Sequence, residues 1–101
     1  MIYIGIDISK YKHDCFIATE TANHQFSFEN SQLGFNELLG HFKSLVKQEM
    51  IIGLEATGHY GENLKSFLTF HGYTFMEINP FLVKKFSEAH SLRKTKTDKK
   101  D

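Results

Sequence analysis

The period of the hydrophobic pattern changes once, at Asn30-Ser31, and this change limits the possible folds more than any other feature of the 101-residue chain. Before it, three stretches alternate with a period of two. Ile2 to Ser9 puts Ile2, Ile4, Ile6 and Ile8 on one face and Tyr3, Gly5, Asp7 and Ser9 on the other, the β-branched alternation of a strand. Lys10-Tyr11-Lys12 reads as a polar turn. His13 to Thr19 then reads as a second strand, and His24 to Asn30 as a third with Phe26 and Phe28 on one face. Links this short make an antiparallel meander. After the change, Leu33, Phe35, Leu38, Leu39, Phe42, Leu45 and Val46 recur at helical spacing behind a cap from Ser31 or Asn30.

Ile51-Ile52-Gly53-Leu54-Glu55-Ala56 is a continuously apolar run, read as a buried strand and broken by Gly58 to Gly61. A second helical stripe follows at Leu64, Phe67, Leu68 and Phe70, closed by His71-Gly72. Tyr73 to Asn79 reads as a fifth strand ended by Pro80, and Phe81 to His90 as a third, short helix. The element order is βββ-α-β-α-β-α. Helical crossovers, which are right-handed by preference, add strands four and five to the meander. The fold class is α/β: a five-stranded mixed sheet with helices packed on it, the arrangement of a ribonuclease H-like fold. The Phe residues at 35, 42, 67, 70 and 81 are expected on inward helix faces as core.

Composition narrows the class further. At 41% hydrophobic and 24% charged residues, the chain has the balance of a globular domain and not of a disordered one. One Pro and 7 Gly exclude collagen, and the single Cys15 excludes a disulfide scaffold and suits a reducing cytoplasm. No apolar run approaches the ~20 residues of a membrane span. Met1 to Asp7 lacks the basic start of a signal peptide. A soluble, cytoplasmic protein without a membrane partner is expected. The formal net charge is zero, but residues 1–79 carry five lysines against nine acids, and residues 80–101 carry seven Lys or Arg against three acids. A basic end on an acidic body suits an anionic partner, and equally a solvated charged segment.

Among the acids, Asp7 interrupts an isoleucine strand and Glu55 ends the most apolar run, although Asp is depleted in strands. If strands one and four are neighbours, the two carboxylates stand side by side, and such a pair repels unless a cation lies between them. Oxygen ligands of this kind suit Mg²⁺ or Mn²⁺. Asp98 and Asp101 share one face of a helix at their spacing and would complete a two-cation site for phosphodiester chemistry. The flanking lysines would attract the phosphate backbone. Each acid also has a plainer reading: a strand Asp paired to a Lys, a Glu starting a loop, a charge run facing solvent. Spacing leaves these open. His13, His24, His41, His59, His71 and His90 show no zinc-ligand spacing. Lys10, just past Asp7, suits phosphate and equally a plain hairpin turn, and His59 and Tyr60 suit a sugar or base, or simple loop packing.

Gly5-Ile6-Asp7-Ile8-Ser9-Lys10, Leu54-Glu55-Ala56-Thr57-Gly58-His59-Tyr60, Ile78-Asn79-Pro80 and Lys94-Thr95-Lys96-Thr97-Asp98-Lys99-Lys100-Asp101 occur in this order. Together they resemble the N-terminal domain of the DEDD-type transposases of bacterial insertion sequences, the group numbered 110, over essentially the whole chain. The resemblance implies a RuvC-like, ribonuclease H-like domain. It implies that Asp7, Glu55, Asp98 and Asp101 are catalytic and gather Mg²⁺, with Mn²⁺ as an alternative, for DNA strand cleavage and exchange during transposition. It also implies a structured guide RNA, homo-oligomers acting on paired DNA ends, and a C-terminal domain that supplies a serine nucleophile. Residues 1–92 would be the RuvC-like domain and 93–101 the basic and acidic start of a final helix. A chain without the serine domain is expected to be inactive alone. Arg93, Lys94, Lys96, Lys99 and Lys100, with Lys10, His59 and Tyr60, are the expected nucleic-acid contacts. The rival readings are a RuvC-like DNA junction endonuclease and a non-catalytic nucleic-acid-binding or oligomerisation module.

Overall fold

The computed structural model of the chain describes residues 1–55 and 58–78. The elements run β1 (Ile2–Asp7), β2 (Lys12–Ala18), β3 (Asn23–Glu29), α1 (Gln32–Phe42), a short 3-10 turn at Lys47–Glu49, β4 (Met50–Glu55), α2 (Glu62–Phe70) and β5 (Met76–Ile78). The strands make one sheet in the order β3-β2-β1-β4-β5, with β1 in the middle. β2 is antiparallel to both β1 and β3, whereas β4 runs parallel to β1 and β5 runs parallel to β4. A parallel neighbour requires a crossover. α1 lies in the connection that leads to β4, and α2 in the one that leads to β5.

Alternation divides the sheet into two faces. Ile2, Ile4 and Ile6 share a face with Cys15 and Ile17 of β2 and with Ile52 and Leu54 of β4. There they meet Phe35, Leu38 and Phe42 of α1 and Leu64, Phe67 and Leu68 of α2 in one buried cluster. Fully burying a side chain of this size contributes roughly 1.5–3 kcal/mol. Cys15 belongs to this core, and burial pushes its thiol up to about 12, so it packs as a small apolar group.

Ser31, rather than Asn30, caps α1: its Oγ accepts the Gly34 N–H at 3.2 Å. Several expectations are corrected. α1 ends at Phe42, so Leu45 and Val46 lie beyond it in a turn closed by the Leu45 N–H on the Phe42 carbonyl. Phe70 is 84% exposed, not core. At 3.6 residues per turn it falls outside the arc that Leu64, Phe67 and Leu68 turn inward. β5 is shorter than the stretch from Tyr73 to Asn79. Gly72, at φ +82°, turns the chain after α2, and Tyr73 is buried edge-on against Phe42 with ring centroids 5.2 Å apart. The helix expected at Phe81 to His90, the core role of Phe81 and the boundary at residue 92 lie outside the described residues.

Candidate metal and nucleic-acid site

β1 and β4 pair in register from Ile2 with Met50 to Ile6 with Leu54. The residues that follow, Asp7 and Glu55, therefore end two neighbouring parallel strands side by side. The carboxyl ends of parallel strands are where open α/β sheets bind ligands. Both carboxylates leave the sheet on the face opposite the isoleucine core. Gly5 and Gly53, also register partners, precede them on that face, so the floor beside the acids carries no side chain from β1 or β4. A Cβ on Gly53 would come within 2.8 Å of Ile78 Cδ1, so the β5 isoleucine occupies that room instead.

The pair is an electrostatic conflict. A hydrogen bond with Asp7 pushes the Glu55 carboxyl up to about 7, helped next by burial and then by the Asp7 charge. Near neutral pH the Glu55 carboxyl therefore keeps its proton for much of the time. A cation in place of that proton would remove the repulsion, and paired carboxylates are the ligands that Mg²⁺ and Mn²⁺ prefer. The residues present therefore fit a divalent ion, as half of a site. Asp14 lies opposite Asp7 in the β1–β2 pairing, a juxtaposition invisible until the hairpin register is known. Its Oδ1 accepts the Ser27 hydroxyl of β3 at 2.6 Å. Among the described residues no three His, Cys, Asp or Glu side chains group to hold a metal.

Of the expected nucleic-acid contacts, Lys10, His59 and Tyr60 are described and all three are exposed. Lys10 sits in the turn after β1, its Nζ 5.2 Å above the ring of Tyr11. His59 and Tyr60 sit in the loop ahead of α2, with ring centroids 4.8 Å apart. Asp98, Asp101, Arg93, Lys94, Lys96, Lys99 and Lys100 lie outside the described residues. The sequence marks His13 only as a strand histidine without zinc-ligand spacing and Asn30 only as a candidate helix cap, yet both lie buried or half-buried beside this site. His13 shares the inward face of β2 with Cys15 and Ile17, and a polar residue in that phase was the available signal. Among the described residues no helix is long and apolar enough to cross a membrane.

Comparison with known proteins agrees with this fold. Residues 4–101 match the DEDD family of insertion-sequence group 110, described as Transposase. The Pilin gene-inverting protein of Moraxella bovis is 38% identical over 104 residues, and that of Moraxella lacunata 35% identical over 103. Each alignment takes in 98% of this chain but 31% of the relative, so the chain spans about a third of their length. Among solved structures, T. thermophilus RuvC in complex with a Holliday junction substrate is similar with a TM-score of 0.59 at 14% identity. That likeness covers 84% of this chain and 68% of that one. At such identity the likeness shows the fold, which is ribonuclease H-like.

Proposed function

Since the chain belongs to the DEDD transposase family, we propose that it is the catalytic-acid domain of a DNA transposase or recombinase that cleaves and exchanges DNA strands with Mg²⁺, or Mn²⁺ in its place. The observation that carries this reading is the juxtaposition of Asp7 and Glu55 at the ends of two parallel strands, with the Glu55 carboxyl held up to about 7. Asp7 and Glu55 hold the ion as anions, and Asp98 and Asp101 complete the set. When bound, the ion stabilises charge developing on a phosphodiester and lowers the pKa of an attacking hydroxyl.

Lys10 draws in the phosphate backbone against the repulsion of the acids. His59 and Tyr60 meet a sugar or base, and Arg93, Lys94, Lys96, Lys99 and Lys100 extend the basic track. The relatives are named for inverting a gene, which is cutting and rejoining of DNA, and strand exchange fits that chemistry. The full-length protein would act in the bacterial cytoplasm as a homo-oligomer, with a structured guide RNA and a downstream serine nucleophile.

The test uses a full-length protein that contains this chain, with its guide RNA and paired DNA ends. Strand joining should require Mg²⁺, and Glu55→Gln should lower it about a thousandfold or more. Hydrolysis without joining would support the junction-endonuclease alternative. DNA binding with no Mg²⁺-dependent turnover would leave a non-catalytic module and overturn the proposal.

A further inference from the structure

Asn30 stands where three segments meet, and it spends every donor it has on them. Its backbone N–H donates to the Tyr11 carbonyl at 2.8 Å. Its side-chain amide donates to the Lys10 carbonyl at 3.0 Å and to the Tyr60 carbonyl at 3.2 Å. A carboxamide has two N–H donors, and here they reach two loops that lie far apart in sequence. Among the described residues no direct hydrogen bond joins the turn after β1 to the loop at 58–61. Asn30 links them, and Ile8 packs against Gly61 beside it.

Behind the amide lies His13. The amide Oδ1 and Nε2 of His13 are both buried and neither makes a hydrogen bond, although the Asn30 side chain lies close enough to hold the His13 pKa up in part against its lowering by burial. His13 Nδ1 accepts the Ser9 N–H at 3.2 Å, so in the neutral imidazole the proton is on Nε2. The His13 ring is fully buried, stacked on Phe35 and edge-on to Phe28.

The tied loops carry side chains suited to nucleic acid. Tyr11 is 76% exposed and Tyr60 38%, and each offers an aromatic face on which an unpaired base can stack. We propose that Asn30 is a positioning residue for nucleic-acid binding: it joins the turn carrying Lys10 and Tyr11 to the loop carrying His59 and Tyr60, so that the four side chains border the Asp7–Glu55 pair as a single rim. This rests on the reading of that rim as a nucleic-acid contact.

Asn30→Asp keeps the shape but turns an acceptor toward two carbonyl oxygens, and Asn30→Ala removes the amide altogether. Either change leaves the backbone bond to Tyr11. The loop at 58–61 should therefore loosen while the turn at 10–12 stays in place. The chain has no Trp, so Tyr60→Trp supplies a sole indole, and its fluorescence anisotropy should fall when either Asn30 change is added. With Tyr60 intact, both Asn30 variants should bind a four-way DNA junction about tenfold more weakly, while Mg²⁺ binding is unchanged. Unmoved anisotropy in both variants overturns the proposal, as does a loosened loop with undiminished junction affinity. A parent chain that binds no junction overturns the nucleic-acid reading itself. Normal parent binding with unaffected Asn30 variants removes only the role of Asn30.

Discussion

Asp7→Asn should stabilise the metal-free chain at pH 8 and abolish its response to Mg²⁺. The Glu55 carboxyl is raised from 4.5 to about 7 in the fold, chiefly by Asp7. Stability from a raised carboxyl is fully present below its unfolded value and is lost as pH rises through the folded one. For Glu55 the loss runs from about pH 4.5 to 7, and above pH 7 the metal-free fold carries the whole repulsion. Asn at position 7 keeps the side-chain size and removes the charge. The gain at pH 8 should be about 1–2 kcal/mol once solvent screening is allowed for, or several degrees in Tm. At pH 4 the difference should vanish. Millimolar Mg²⁺ should raise the Tm of the parent at pH 8 and leave that of Asp7→Asn where it was. Thermal denaturation followed by circular dichroism reads all of these. A loss of stability at pH 8 would mean that the fold uses Asp7 structurally, as an isolated strand acid.

Gly34→Ala should cost about 3 kcal/mol or more, a large part of the total for a domain of this size. Gly34 is buried in the first turn of α1, where a Cβ would lie 2.0 Å from the carbonyl oxygen of Glu29, 2.6 Å from its nitrogen and 2.7 Å from its carbonyl carbon. These are backbone atoms at the end of β3, and no rotamer moves them. The start of α1 must lift instead. Lifting it pulls Phe35 from Phe67, whose ring lies 5.4 Å away, and uncovers His13. Gly40 is the control: on the same helix a Cβ there meets nothing within 4 Å, and Gly40→Ala should stabilise by up to about 1 kcal/mol. Urea denaturation of both variants compares them. A Gly34→Ala chain as stable as the parent would contradict the packing of α1 on β3.

Much of this arrangement was legible before any coordinates, for identifiable reasons. The isoleucine alternation of β1 fixes which face is core, and an acid in the opposite phase must stand on the other. The unbroken apolar run of β4 marks a buried strand, which belongs beside a central strand and so brings Glu55 to Asp7. What stayed hidden depends on register and on helix phase. Asp14 comes opposite Asp7 through the hairpin pairing, which the spacing of acids along the chain does not encode. Asn30 looked like a helix cap because its residue type favours both roles, and Ser31 takes the cap. Phe70 looked like core because apolar residues three apart resemble a stripe until each angular position is counted. Leu45 and Val46 likewise extend the spacing of α1 past its end at Phe42.

The central claim is that Asp7 and Glu55 bind a divalent cation in place of the Glu55 proton. Calorimetric titration of the chain with Mg²⁺ at pH 6 and pH 8.5, each in two buffers of different ionisation enthalpy, counts the protons released. With Glu55 near 7, binding should release about one proton at pH 6 and almost none at pH 8.5, with higher affinity at the higher pH. Glu55→Gln should abolish both the binding and the release. No binding in the parent, binding at pH 6 without proton release, or undiminished binding in Glu55→Gln would contradict the claim.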